Sequence, residues 1–183
     1  MLPEALATAS AADIAGVVAF TLVALWPLLK GRRAMLLGQA ASAVAFGVHY
    51  LLLGARTGAA MTALSLTQGL AALPAGRSWA RTAVFGATVP AMLALVGLTW
   101  HGWPSVCAAL GLLLATAGRW QGTALGLRLG FFASGIAWIC HDVLTGSLYG
   151  LGADLFCMAT LVIGALREQR QLRASPSAQR SPA

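Results

Sequence analysis

Four side chains stand out as able to do chemistry inside an otherwise apolar chain: His49, His141, Asp154 and Thr62. The two histidines share a context, each followed by glycine five and nine residues on, at Gly54 and Gly58 and at Gly146 and Gly150. Imidazole changes charge near neutral pH, and a neighbouring carboxylate favours its protonated form. Asp154 lies in a later apolar run, and Thr62 holds the corresponding place in an earlier one. An ionisable group placed at membrane depth costs about 3 kcal/mol or more unless it is paired or hydrated. Together these residues define a candidate proton- or solute-binding cluster. The competing reading is that each histidine is a structural clasp, hydrogen-bonding a neighbouring helix once per unit.

The shared context comes from a duplication. Leu37–Gly58 and Leu129–Gly150 align without a gap at a shift of 92 residues. Identities fall at Leu37/Leu129, Gly38/Gly130, Ala41/Ala133, Ser42/Ser134, Ala45/Ala137, His49/His141, Leu52/Leu144, Gly54/Gly146 and Gly58/Gly150. Fixed-period self-similarity marks a repeated structural unit. Positions 38, 42, 45 and 49 share one helical face, as do 130, 134, 137 and 141. Small residues at that spacing let membrane helices approach closely, so both faces read as packing seams with an imidazole at the outer end.

Composition identifies the environment. Of the 183 residues, 58% are hydrophobic and only 9% charged, with mean hydropathy +0.78. Soluble domains carry about 25% charged residues, so the chain reads as a polytopic membrane protein. The net charge of +7 would suggest nucleic acid in a soluble protein. Here the bases cluster between and after apolar runs, where topology accounts for them and no nucleic-acid partner is expected. Cys107, Cys140 and Cys157 all sit in apolar runs without metal-ligand spacing, so no disulfide framework, metal or cofactor is expected. No phosphate loop or hydrolase motif occurs, which argues against an enzyme.

Roughly 20 apolar residues span a bilayer core. On that measure seven spans are expected, near 12–29, 34–53, 57–75, 81–100, 103–119, 125–145 and 148–166. The expected fold is an all-α membrane domain of two parallel three-helix repeats (about 12–76 and 103–166) joined by a linker helix (about 81–100). A disordered basic tail, about 167–183, should follow. The N-terminal segment lacks the basic start of a signal peptide, so its first apolar run reads as a retained span. With the N-terminus outside, eleven of the twelve bases fall on the inner side and only Arg56 outside. The positive-inside rule then favours a cytoplasmic C-terminus. Seven spans require the same parity. Asp142, next to a predicted outer boundary, reads as solvated. Thr62, Ser65, Thr67 and Gln68 form a polar stripe that either lines a path or binds helices together.

The segments Gly47-Val48-His49-Tyr50-Leu51-Leu52-Leu53-Gly54 and His141-Asp142 to Gly146-Ser147 resemble the YgjV-type bacterial inner membrane proteins, over roughly residues 14–168. That resemblance implies a small polytopic protein of the inner membrane and no particular chemistry. The 3+1+3 layout is similar to the MtN3/SWEET/PQ-loop superfamily of solute carriers, whose members use parallel repeats. Leu28 follows Pro27 where that pattern has glutamine, and Arg119 holds the matching place in the second copy. Sugar transport therefore does not carry over. Two function classes remain: a small-solute or proton transporter with its site between the repeats, or a non-transporting scaffold, assembly factor or sensor subunit. The substrate and the oligomeric state are not legible in the sequence.

Overall fold

The computed structural model describes residues 10–74 and 78–174, with side chains to residue 170. Seven helices make up the described chain: α1 (Ala11–Leu25), α2 (Arg32–Leu52), α3 (Arg56–Ala71), α4 (Trp79–Leu98), α5 (Trp103–Trp120), α6 (Ala124–Thr145) and α7 (Leu148–Ala174). Local chemistry sets their ends. Ser10 and Asp13 form a reciprocal capping box at α1, satisfying donors that the first helical turn leaves free. Pro27 cannot continue the hydrogen-bond ladder, and α1 closes in a short 3-10 turn, Trp26–Leu28. Ser78 caps α4 and Thr123 caps α6. The repeat-matched Gly54 and Gly146 both take positive φ, 73° and 70°, a backbone shape that glycine adopts without steric cost. That shape makes the tight returns from α2 to α3 and from α6 to α7.

Burial is inside out relative to a soluble protein. Leu51, Leu93, Leu129 and Val143 are each more than 60% exposed, while Gln39, Gln68, Arg119, His49, His141 and Asp142 are buried. Apolar side chains lose nothing by facing acyl chains, whereas polar ones must find partners within the bundle. Trp79, Trp100 and Trp103 are exposed at helix ends, where indole rings sit at a membrane–water boundary.

Among the described residues, five helical segments are long and apolar enough to cross a membrane: Ala11–Leu28, Arg32–Leu52, Trp79–Leu98, Ala124–Thr145 and Leu148–Arg170. α3 and α5 are not in that set. With 16 residues, α3 is only about 24 Å long at 1.5 Å per residue. It packs against α2, α4 and α5 and buries Thr57, Thr62 and Gln68, which explains its lower hydropathy. The tail departs from expectation. α7 runs to Ala174 because Arg167-Glu168-Gln169-Arg170-Gln171-Leu172-Arg173-Ala174 is made of good helix formers. Its first eight residues are thus helical, not disordered; residues 175–183 lie outside the described residues.

Neighbour relations repeat with the sequence. α2 packs on α1 and α3, α6 on α5 and α7, α1 on α7, and α3 on α5. The 92-residue shift carries α1 onto α5 and α3 onto α7, so the last two contacts are equivalents. α4 packs against α3 and α5. On the predicted inner side, Arg32 donates to Ala72 O, Arg119 O and Gln121 O, and Arg81 to Arg119 O and Trp120 O. These carbonyls end α3 and α5. Guanidinium groups there satisfy orphan acceptors and oppose the negative pole of each helix. Bases read from sequence as topology markers are therefore also structural caps.

Candidate functional site

A cavity of about 100 Å³ lies in the middle of the bundle. Twelve of its lining residues form six repeat-matched pairs: Gln39/Phe131, Ser42/Ser134, Ala43/Gly135, Phe46/Trp138, Thr62/Asp154 and Ser65/Cys157. The cavity is therefore enclosed by equivalent faces of the two copies. Ser42 bonds back to Gly38 O at 2.7 Å, and Ser134 donates to Gly111 O at 2.8 Å. The seam expected from sequence is half right. Gly38 and Gly130 make the close approaches, to Trp26 and Gly118, whereas the serines next to them turn toward the cavity.

Arg119 is the strongest charge in the lining. It is 2% exposed. Its guanidinium donates to Gln39 Oε1 (3.3 Å), Gln68 Oε1 (3.0 Å) and Ser65 Oγ (2.5 Å), and lies 4.8 Å from the Phe131 ring centroid. Gln68 is held in turn by Thr88 and Thr116 through Nε2, at 2.7 and 2.8 Å. This network ties α2, α3, α4 and α5 around one buried cation. Gln39 Nε2 is buried without a partner.

Asp154 and Thr62 both line the same cavity, as their matched positions anticipate. Thr62 spends its hydroxyl on Gly58 O at 2.7 Å. Asp154 Oδ2 is shut off from solvent and has no hydrogen-bond partner among the described residues. The expected Asp154–His141 contact is not made. His141 turns away, its Nδ1 2.9 Å from Pro104 O, and its Nε2 is unpartnered beside Gly58.

His49 makes the same contact one repeat earlier, with Nδ1 2.9 Å from Ala12 O, and 12 plus 92 is 104. A carbonyl only accepts, so Nδ1 carries the proton in both rings. His49 Nε2 is then free to accept from Ser147 Oγ, 3.1 Å away; Ala55 of the first copy holds the place matched to Ser147, so His141 lacks that donor. Each imidazole clasps the start of the first helix of its own unit. Neither lines the central cavity, though His141 lines a second, outer cavity with Thr57, Thr99 and His101.

Asp142 corrects the sequence reading most sharply. It is 1% exposed rather than solvated, and Tyr50 donates its hydroxyl to Oδ1 at 2.7 Å. Tyr50 and Asp142 are themselves repeat-matched, each following its histidine. Tyr50 also lines the central cavity. Comparing the copies for identity alone hides this pair; comparing them for polarity one residue after each histidine would have found it. Arg119 was visible in the sequence but read only as an inner-side base, because the residue matched to it is Pro27.

These features define a helical membrane protein with a largely apolar cavity, carrying Arg119 and Asp154, between duplicated units. A family model described as a bacterial inner membrane protein, Imp-YgjV, matches residues 10–171, and the chain belongs to that family. No curated protein and no solved structure matches.

Proposed function

We propose that this chain is a small-solute carrier of the bacterial inner membrane. Its binding site is the cavity between two parallel three-helix units, α1–α3 and α5–α7, joined by α4. In this reading all seven helices cross the bilayer, α3 and α5 included. Transport consists of rocking the two units about the cavity, a plan known for parallel repeats. The observation that carries the reading is the lining itself: six repeat-matched pairs surround it, and Arg119 and Asp154, of opposite charge type, stand in one copy only. Close packing alone requires neither charge, since uncharged Pro27 and Thr62 hold the matched places in the first copy. The site binds and does not catalyse, so its partners are the solute and the surrounding lipid.

Uptake tests this. The protein in proteoliposomes should accumulate at least one solute from an untargeted metabolite mixture above protein-free vesicles, and Asp154→Asn should lower that uptake by about tenfold or more. If the wild-type vesicles take up nothing, the chain is a scaffold, assembly factor or sensor subunit.

Orientation belongs to the same reading. The bases place the N-terminus outside and the C-terminus in the cytoplasm. A reporter fused after residue 183 should behave as cytoplasmic; a periplasmic signal would remove the parallel relation of the units.

A further inference from the structure

The cavity's charges point to a substrate class, on the basis of the carrier reading above. Among the buried arginines, Arg128 is paired with Glu168, and Arg81 lies against helix-end carbonyls. Arg119 instead meets neutral side-chain oxygens and a ring. A guanidinium has five N–H groups; its hydrogen bonds to Gln39, Gln68 and Ser65 use three and leave two for a ligand. On the acidic side, Asp154 Oδ2 has no partner. A buried ion is stable only when its charge and its hydrogen bonds are met, and removing a partner is costly. Both side chains line one cavity of about 100 Å³, smaller than the ~150 Å³ engineered cavity that holds benzene.

We propose that this cavity takes a small zwitterion of a few heavy atoms, with its carboxylate toward Arg119 and its ammonium toward Asp154. Each ligand charge then meets its opposite. Arg119 supplies a planar fork suited to a carboxylate, and the ammonium donates to the Asp154 carboxylate. Neither half suffices alone: a simple carboxylate leaves Asp154 unmet and adds repulsion, and a simple ammonium does the same at Arg119.

The test is calorimetric binding to the purified full chain in nanodiscs. The probes are glycine, L-alanine and β-alanine, with propionate, ethylammonium and glycerol as the partial or uncharged comparators. The best amino acid should bind at least about thirtyfold more tightly than either propionate or ethylammonium, the ratio expected for truncating one partner of a buried charge pair. Asp154→Asn should erase the preference over propionate. Arg119→Lys, which keeps the charge and loses the fork, should weaken amino-acid binding while eluting as wild type on size exclusion. If propionate, ethylammonium or glycerol binds as well as the amino acids, the zwitterion proposal is overturned. If no amino acid binds, it is likewise overturned, and uptake of some other solute in the vesicle assay would preserve the carrier reading. Failure of both assays removes both.

Discussion

Gly130→Ala should lower the stability of the fold by about 3 kcal/mol, while Gly47→Ala on the preceding repeat's helix should be tolerated. A Cβ at residue 130 would fall inside contact distance of Gly118 Cα and 2.6 Å from Gly118 N. A Cβ at residue 118 would in turn sit 2.9 Å from Gly130 Cα and 3.2 Å from Leu127 O. All of these neighbours are backbone, so no side chain can swing aside, and α5 and α6 must separate. Overpacking of this kind costs about 1–3 kcal/mol and occasionally more, and a rigid backbone neighbour places this case at the upper end. The shift would also move Arg119, which follows Gly118 directly, away from Gln39, Gln68 and Ser65. At Gly47 a Cβ meets nothing within 4 Å, and replacing a helical glycine with alanine there should be neutral or stabilising by up to about 1 kcal/mol. Thermal unfolding in detergent would measure both; equal melting temperatures would mean that α5 and α6 are not held at backbone contact.

The Gly118–Gly130 contact marks the border of what sequence could tell. Duplication made Gly38 and Gly130 visible as a small-residue seam, and the seam is real. Its partner Gly118 carries no repeat signal, since the matched residue is Trp26. The two histidines were legible as a repeated feature, and their identical contacts to Ala12 O and Pro104 O fit the clasp reading better than the cluster with Asp154. Helix rotation decided that outcome: spacing put His141 and Asp154 near one another along the membrane normal but could not say which way each faced. Asp142 was misread for the same reason. Its place near a helix end suggested solvent, while Tyr50, reaching across from α2, covers it. Arg119 was misread because a base near a helix end satisfies the positive-inside rule whether it points to water or inward. The buried network at Gln68 rests on α3, α4 and α5 meeting, a tertiary fact with no local signature.

Tyr50 and Asp142 offer a result in which one mutation changes sign with background. Tyr50 is fixed by its surroundings, stacked on Phe46 and Trp138 with ring centroids 5.4 and 5.9 Å away and set edge-on to His141 at 5.4 Å. Tyr50→Phe keeps that packing and removes only the hydroxyl. The Asp142 carboxylate then has no partner on either oxygen, since Oδ2 already lacks one. An orphaned buried polar group costs about 1–3 kcal/mol, and more when charged, so Tyr50→Phe should lose about 3 kcal/mol. Asp142→Asn is milder. Its Oδ1 still accepts from Tyr50, and the cost of about 1 kcal/mol comes from an amide NH2 placed beside Gly150 without an acceptor. In the Tyr50→Phe background the same Asp142→Asn change replaces an unpaired carboxylate with a neutral amide, so it should restore stability. Neighbours sharing one hydrogen bond couple by about 0.5–3 kcal/mol, enough to reverse the sign. Unfolding of the wild type, both single variants and the double variant in the same detergent completes the cycle. If Asp142→Asn costs the same in both backgrounds, Tyr50 and Asp142 are not coupled and the link between the two copies at this depth is lost.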